Sequence, residues 1–248
     1  MTHSKEIVVQ HNKHVMHITI NRPDKKNAFT TKMYDDLRVA IELANQDDEV
    51  NAILICGHES TFSAGNDLND FHNHGPVGLS TATQLLTTIH SSEKPIVAAV
   101  SGVAIGVGAT LLLHCDLVYA APSTRFRMPF IDLGVCPEAG SSLLLPMLAG
   151  HRKASEILML GDFFDTHTAI DIGLVTQEVP QDQVLTVAIQ KAEQLAKKPK
   201  EALKITKQLM KSAQQHIVAE QMKKEGDLFG ELLQSSQSKA IIATLLAS

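Results

Sequence analysis

Three short runs without a charged side chain constrain this chain most: Ala52-Ile53-Leu54-Ile55-Cys56, Pro95-Ile96-Val97-Ala98-Ala99-Val100 and Leu117-Val118-Tyr119-Ala120. Each is strand-length and apolar from end to end, as expected of strands covered on both faces. Between and before them the spacing turns helical: Met33, Leu37, Ala40, Ile41 and Ala44 recur across 31–45, and a second helix is predicted over 81–91. Residues 14–20 alternate, with Met16, Ile18 and Ile20 opposite His17 and Thr19, which predicts a half-buried strand. Loop is expected over 57–66, then a polar stretch rich in Asn, His, Gly and Pro through Ser80. Strand, helix, strand alternation predicts an α/β layer with right-handed crossovers. Beyond Ser141 the texture is helical, over 143–149, 151–160, 166–173, 181–197, 199–213 and 214–247. The expected organisation is a core over 1–195 with a helical C-terminal region over 196–248.

Bulk properties narrow the function by exclusion. With 44% hydrophobic residues among 248, a sizeable core is available, and with two Tyr, eight Phe and no Trp it must be aliphatic. The net charge of −5, without a block of like charge, gives no support to nucleic acid as the main partner. Cys56, Cys115 and Cys136 lack metal-ligand or paired spacing and read as reduced thiols; none of the twelve histidines falls in a metal-binding pattern. No metal is expected. There is no apolar leader and no uncharged stretch of membrane-spanning length. A soluble, cytoplasmic protein is expected.

Chemistry is concentrated in three segments. Phe62-Ser63-Ala64-Gly65-Asn66-Asp67-Leu68 follows a buried strand, where α/β folds place ligands. Gly65 allows close backbone approach, which would leave the Asn66 N–H facing a cavity. Asp67 fits equally a helix cap. Gly102 to Thr110 also follows a buried strand; it lacks the lysine of a phosphate loop, and Gly108 fits tight helix packing. One N–H from each glycine turn makes an oxyanion hole. The third segment, Val135-Cys136-Pro137-Glu138-Ala139-Gly140, holds one carboxylate among apolar and small residues. Alone, Glu138 also fits a solvated turn. Beside two amide donors it completes a site for proton abstraction next to a carbonyl.

These segments, with Asn21-Arg22-Pro23, Asn27-Ala28-Phe29, and residues 94–107, 115–120 and 161–175, resemble the crotonase (enoyl-CoA hydratase/isomerase) superfamily over essentially the full length. The resemblance implies a spiral of ββα units whose helical C-terminal region makes homotrimers or dimers of trimers. It implies an acyl-CoA substrate, coenzyme A being part of the substrate and no further cofactor being needed. Carried over by motif, the oxyanion-hole amides are Asn66 and Val107, the latter following Gly106. Lys25 and Lys26, with Arg22 behind them, fall in the region of the CoA phosphates. Ala28 and Ala64 fall where main-chain carbonyls bind adenine and pantetheine, with Gly65, Asp67, Leu68 and Gly106 close by; Phe130 and Leu133 would wall the acyl pocket, together with Leu143.

Departures from the family pattern bear on the reaction. Hydratases of the family use two glutamates, whose places are taken here by Thr110 and Phe130, and they carry glycine where this chain has Glu138. Pro137-Glu138-Ala139-Gly140-Ser141-Ser142 is similar to the monofunctional Δ3,Δ2-enoyl-CoA isomerases of fatty acid β-oxidation. Isomerisation through a single glutamate is therefore expected. The alternatives are a hydratase or other crotonase-type acyl-CoA enzyme, and a non-catalytic acyl-CoA- or RNA-binding relative. For the last, Lys197, Lys198, Lys200, Lys204, Lys207 and Lys211 would supply the charge, although they fit a solvated helix face. Chain-length preference would depend on the depth behind Phe71, Leu85 and Leu86.

Overall fold

The computed structural model describes residues 5–58 and 61–247, without the side chains of Phe71, His72, Gly75, Pro76 and Val77; the expected role of Phe71 lies outside this description. A six-stranded sheet forms the centre, in the order β1 (Ile7–Asn12), β2 (Val15–Ile20), β3 (Ala52–Cys56), β4 (Ile96–Val100), β6 (Leu117–Ala120) and β9 (Gln177–Glu178). Only β1 runs antiparallel to its neighbour. The three charge-free runs are β3, β4 and β6, side by side in parallel register, with Ile55 opposite Ala98 and Ala98 opposite Val118.

Both faces are covered, as their composition demands. Ile53 and Ile55 face α1 (Thr31–Gln46) and α2 (Leu68–Ser91), while Ala52, Leu54 and Cys56 face α6 (Val184–Ala196). Ala188, Ala192 and Ala196 recur at four-residue spacing on α6, and such small side chains let the helix lie close to the sheet. A second sheet joins three very short strands, β5 (Val103–Ile105), β7 (Arg125–Arg127) and β8 (Phe164–Asp165). After β5 comes the single-turn α3 (Val107–Thr110). The chain then packs α4 (Ser141–Ser155) and α5 (Thr166–Asp171) beside the sheets, and closes with α7 (Lys200–Ser212), α8 (Gln215–Leu233) and α9 (Ser236–Ala247). The break expected between 143–149 and 151–160 is present at Gly150, whose φ of 75° leaves the helical region.

Two expectations are corrected. The helix expected over 81–91 starts earlier and takes in the polar stretch before it: α2 begins at Leu68 and runs through Gly75 and Pro76. Its start is capped by Asp67, as the sequence allowed, which accepts the N–H groups of Asn69 and Asp70, while Asp70 ties it to α1 by accepting the N–H and hydroxyl of Thr31. The lysines of α7 do not form one solvated face. Lys207 is buried, its Nζ donating to Asp116 Oδ2 and to the Lys94 carbonyl, both at 2.7 Å, while Asp116 also accepts the Ile96 N–H. Ile205, Leu209 and Met210 face outward instead.

Lys207 thus fastens α7 to the β4–β6 edge. Removing one partner of a buried ion pair strands the other charge, at about 3–5 kcal/mol for fully buried pairs. Because Asp116 keeps some solvent and the Ile96 N–H, Lys207→Met is expected to cost about 2–3 kcal/mol in urea unfolding. A loss under about 0.5 kcal/mol, the scale of a surface pair, would show the link to be incidental.

Candidate active site

The two glycine turns meet through a minimal parallel ladder. Ser63 pairs with Ala104: the Ser63 N–H donates to the Val103 carbonyl at 3.0 Å, and the Ile105 N–H to the Ser63 carbonyl at 2.9 Å. In parallel pairing, equal offsets from a bridge stay side by side. Gly65 and Gly106 each lie two residues beyond it, and Asn66 and Val107 each lie three beyond. The glycines are required there. Their φ values are 88° and 55°, and a Cβ on Gly65 would stand 2.8 Å from the Ile105 carbonyl oxygen. A Cβ on Gly108 would meet Ser63 at 2.9 Å, so this glycine seats α3 against the ladder.

The N–H groups around this point are spent on neighbours: Gly65 donates to Ser63 Oγ, Asp67 to the Phe29 carbonyl and Gly106 to the Arg127 carbonyl. The N–H groups of Asn66 and Val107 have no acceptor among the described residues. For Val107 the reason is its place at the first position of a helix. Two uncommitted main-chain donors therefore sit on adjacent turns. The Asn66 side chain is held from behind, its Oδ1 accepting the hydroxyl of Tyr34, which is buried and stacked on Phe29 at 5.0 Å.

Glu138 lies on the turn leading into α4 and is 6% exposed. Thr110, three residues after Val107 on the same helical turn, donates its hydroxyl to Glu138 Oε1 at 3.4 Å. One turn of helix thus connects the amide to the carboxyl group. Burial pushes the Glu138 pKa from 4.5 to about 7; the negative charge of Glu225 adds to the rise, and the Thr110 hydroxyl opposes it. Glu138 and Ala139 line a cavity of about 10 Å³ closed by Leu79, Thr83, Leu86, Met222, Gly226 and Phe229. The first, second and fourth of these, with Gly226, also line a groove of about 550 Å³ between α2 and α8.

The turn itself is tightly tied. Ala139 has φ of 60°, uncommon for a residue with a Cβ. The Glu138 carbonyl accepts the Ser141 N–H and hydroxyl, and the Ala139 carbonyl accepts from His114 Nε2 at 2.7 Å. A carbonyl only accepts, so the Nε2 carries the proton. Burial lowers the His114 pKa to about 3, which keeps the ring neutral.

The other sequence-predicted residues divide. Phe130 is buried and meets the ring of Phe229 edge-on at 6.4 Å, placing it behind the wall of the Glu138 cavity. Leu133 and Leu143 are partly buried against the core. Lys25 and Lys26 are exposed on a short turn beside Ala28 and Ala64, the Ala64 N–H donating to the Lys26 carbonyl. Arg22 is engaged internally, with Asp67 at 2.7 Å, the Ala28 carbonyl at 3.0 Å and Glu6 at 3.3 Å. Asp67 is likewise occupied by Arg22 and by the first turn of α2, which Leu68 opens. Of the three cysteines, Cys56 is buried and Cys115 and Cys136 partly so, all unpaired. Among the described residues, no group of three or more His, Cys, Asp or Glu side chains is arranged to hold a metal ion, and no helix is long and apolar enough to cross a membrane.

Sequence reasoning missed Tyr34, His114 and Glu225. The signal for Glu225 was present. In the series Val218, Met222, Glu225, Phe229, Leu233 it occupies a core-facing position of a helix.

The uncommon proton affinity of Glu138 has a measurable cost. The folded state holds the proton more tightly than the unfolded state, so stability is fullest below pH 4.5 and falls as pH rises toward about 7. Above that the cost is on the order of 3 kcal/mol. Glu138→Gln mimics the neutral acid, and is expected to exceed the unaltered protein in urea-unfolding stability at pH 8 by up to that amount. The advantage should vanish near pH 4.5. A difference independent of pH would mean that Glu138 titrates as an ordinary carboxylate.

Comparison with known proteins completes the description. The family model described as Enoyl-CoA hydratase/isomerase matches residues 10–245. The 1,2-epoxyphenylacetyl-CoA isomerase of Escherichia coli (strain K12) is 34% identical over 232 residues, covering 90% of this chain and 88% of that protein. Enoyl-CoA delta isomerase 2 of Rattus norvegicus is 35% identical over 215 residues, which are 84% of this chain but 55% of the longer rat protein. The crystal structure of an enoyl-CoA hydratase/isomerase from Pseudoalteromonas atlantica T6c superposes with a TM-score of 0.93 at 41% identity, covering 98% of this chain and 97% of that one.

Proposed function

This chain belongs to the enoyl-CoA hydratase/isomerase family and has the crotonase fold, and from that footing we propose that it is a Δ3,Δ2-enoyl-CoA isomerase with Glu138 as its single base. The observation that carries the proposal is the pairing of one buried, proton-avid carboxyl group with Thr110, where the family's hydratases place an acid. Adding water to a double bond calls for one group to handle the water and another to supply a proton. Moving a double bond needs one group that takes a proton and gives the same proton back.

In this reaction Glu138 removes a proton from C2 of a 3-enoyl thioester. The C2–H electrons become the C1–C2 double bond of a dienolate, and the carbonyl π electrons move onto the thioester oxygen, where negative charge collects. The N–H groups of Asn66 and Val107 receive that oxygen, and each such donor is worth about 10²–10³ in rate. The protonated Glu138 then delivers its proton to C4: the C3–C4 π electrons form the new C4–H bond, the C1–C2 pair shifts to C2–C3, and the thioester carbonyl re-forms. A pKa near 7 suits a group that must be a base in one half of the cycle and an acid in the other. Phe130, Leu133 and the ring of Phe229 keep water from quenching the dienolate. The CoA phosphates lie by Lys25 and Lys26, the adenine and pantetheine by the Ala28 and Ala64 main chain. Copies of the chain cover the outward apolar side chains Ile205, Leu209 and Met210, in a homotrimer.

Purified protein is expected to convert a 3-enoyl-CoA to the 2-trans thioester far faster than it hydrates crotonyl-CoA, with kcat/KM falling tenfold per pH unit below about pH 7 as Glu138 takes up a proton. Glu138→Gln should lower kcat by about 10²–10⁴ while CoA-thioester binding, followed by calorimetry, persists. Hydration at a rate comparable to isomerisation, or turnover left undiminished by Glu138→Gln, would overturn the assignment.

A further inference from the structure

The turn that carries Glu138 is gripped from α8 by a second buried carboxyl group. Glu225 is 3% exposed. Its Oε2 accepts the Gly140 N–H at 2.5 Å, and its Oε1 accepts the Ser142 N–H at 3.0 Å and the Ser142 hydroxyl. Ser142 Oγ in turn accepts from Gln221 Nε2 at 2.8 Å. Burial raises the Glu225 pKa, and the donors of Ser142, Gly140 and Gln221 oppose that rise. Every hydrogen-bond neighbour of the Glu225 oxygens is a donor, and a donor-only surrounding holds the group as a carboxylate. Among the described residues no lysine, arginine or histidine forms an ion pair with it. We propose that Glu225 is a positioning residue for the active site: ionised on α8, it clamps the Gly140–Ser142 main chain and sets an unneutralised negative charge behind Glu138.

A cap alone does not need that charge. Serine, threonine or asparagine caps a helix start without the penalty of burying an ion. A carboxylate among Val218, Met222 and Phe229 has a further consequence, because a like charge disfavours ionisation of its neighbour. The groups facing Glu138 on its other sides do not supply such a charge. Thr110 on α3 and Tyr34 on α1 are neutral, α2 presents Leu79, Thr83 and Leu86, and the His114 ring behind Ala139 is held neutral by burial. Cys136, on the same turn, is a thiol whose pKa burial raises. Glu225 is thus the fixed charge that acts on the base, with desolvation the larger partner in raising its proton affinity.

This inference rests on Glu138 as the base, and carboxyl-carbon NMR of the ligand-free protein separates the two. Titrating the Glu138 resonance, assigned by its loss in Glu138→Gln, reads the coupling without turnover. Glu225→Gln keeps the length and removes the charge; Glu225→Asp keeps the charge and shortens the reach. In Glu225→Gln the Glu138 midpoint and the acid limb of kcat/KM should both move to lower pH, with kcat down about 10- to 100-fold from misplacement of the base. Glu225→Asp should lose kcat while the Glu138 midpoint stays raised. Should the amide variant not fold, Glu225→Met removes the charge with an apolar chain of similar length and must give the same shift. An unmoved Glu138 midpoint in either charge-removing variant overturns the proposal and leaves Glu225 a helix cap. An active Glu138→Gln would sink the catalytic reading, while the NMR titration still decides the coupling.

Discussion

The pairing of Ser63 with Ala104 is the contact on which the site depends. It is only a few hydrogen bonds long, yet it brings together loops that leave two different strands of the central sheet. The loop containing Ser63 follows β3, and Ala104 belongs to β5, just after β4. Those strands are already neighbours in the sheet, with Ile53 opposite Ile96. The short ladder carries this parallel register beyond the sheet edge, so the glycines and the amides after them arrive in matched positions. Asn27 reinforces the arrangement by donating to the Thr61 and Phe62 carbonyls and accepting the Arg22 N–H, while Ser63 Oγ donates to the Asn27 carbonyl. A buried asparagine with its hydrogen bonds satisfied fixes a loop as firmly as a strand does.

Much of this was legible before the structure, for reasons tied to particular residues. β3, β4 and β6 announce themselves because strands covered on both sides have no polar face to disguise them. The glycine turns and Glu138 stand out because each breaks the pattern around it. The three-residue strands of the small sheet do not, since two or three residues carry no period. The first half of α2 was hidden by a composition rich in turn formers, while its start is decided by Asp67, Arg22 and Thr31. Lys207 resembled a surface lysine because its partner Asp116 lies 91 positions away. Pairings of that kind are written in the fold and not in any window of the chain.

In the proposed reaction, burial of Glu138 puts function in conflict with stability. A carboxyl group removed from water is costly when ionised, and it is the ionised form that abstracts a proton. Among the described residues no cation relieves the conflict. Thr110 offers one long hydrogen bond, and the turn is kept in an unfavourable backbone conformation at Ala139 by bonds to His114 and Ser141. Strain and desolvation concentrated at one turn, and held in place by its surroundings, fit the proposed proton-transfer role.

The anchors come from opposite ends of the sequence. Tyr34 on α1 holds the Asn66 side chain, and α8, near the C-terminus, supplies Met222 and Phe229 to the cavity and Glu225 to the turn. The helical C-terminal region is therefore part of the candidate site and not an appendage to it. For the proposed reaction, in which the base returns the proton it takes, an intermediate proton affinity is needed: too low and the dienolate is never formed, too high and C4 is never protonated. That affinity is set by opposing contributions from separate elements, burial against the α2–α8 cavity and the charge of Glu225 raising it, and the Thr110 hydroxyl on α3 lowering it. Because Thr110 shares its single helical turn with Val107, a shift of α3 that moves the Val107 amide also moves the hydroxyl that Glu138 accepts. In the proposed reaction, amide donor and base are thereby linked through one turn of helix.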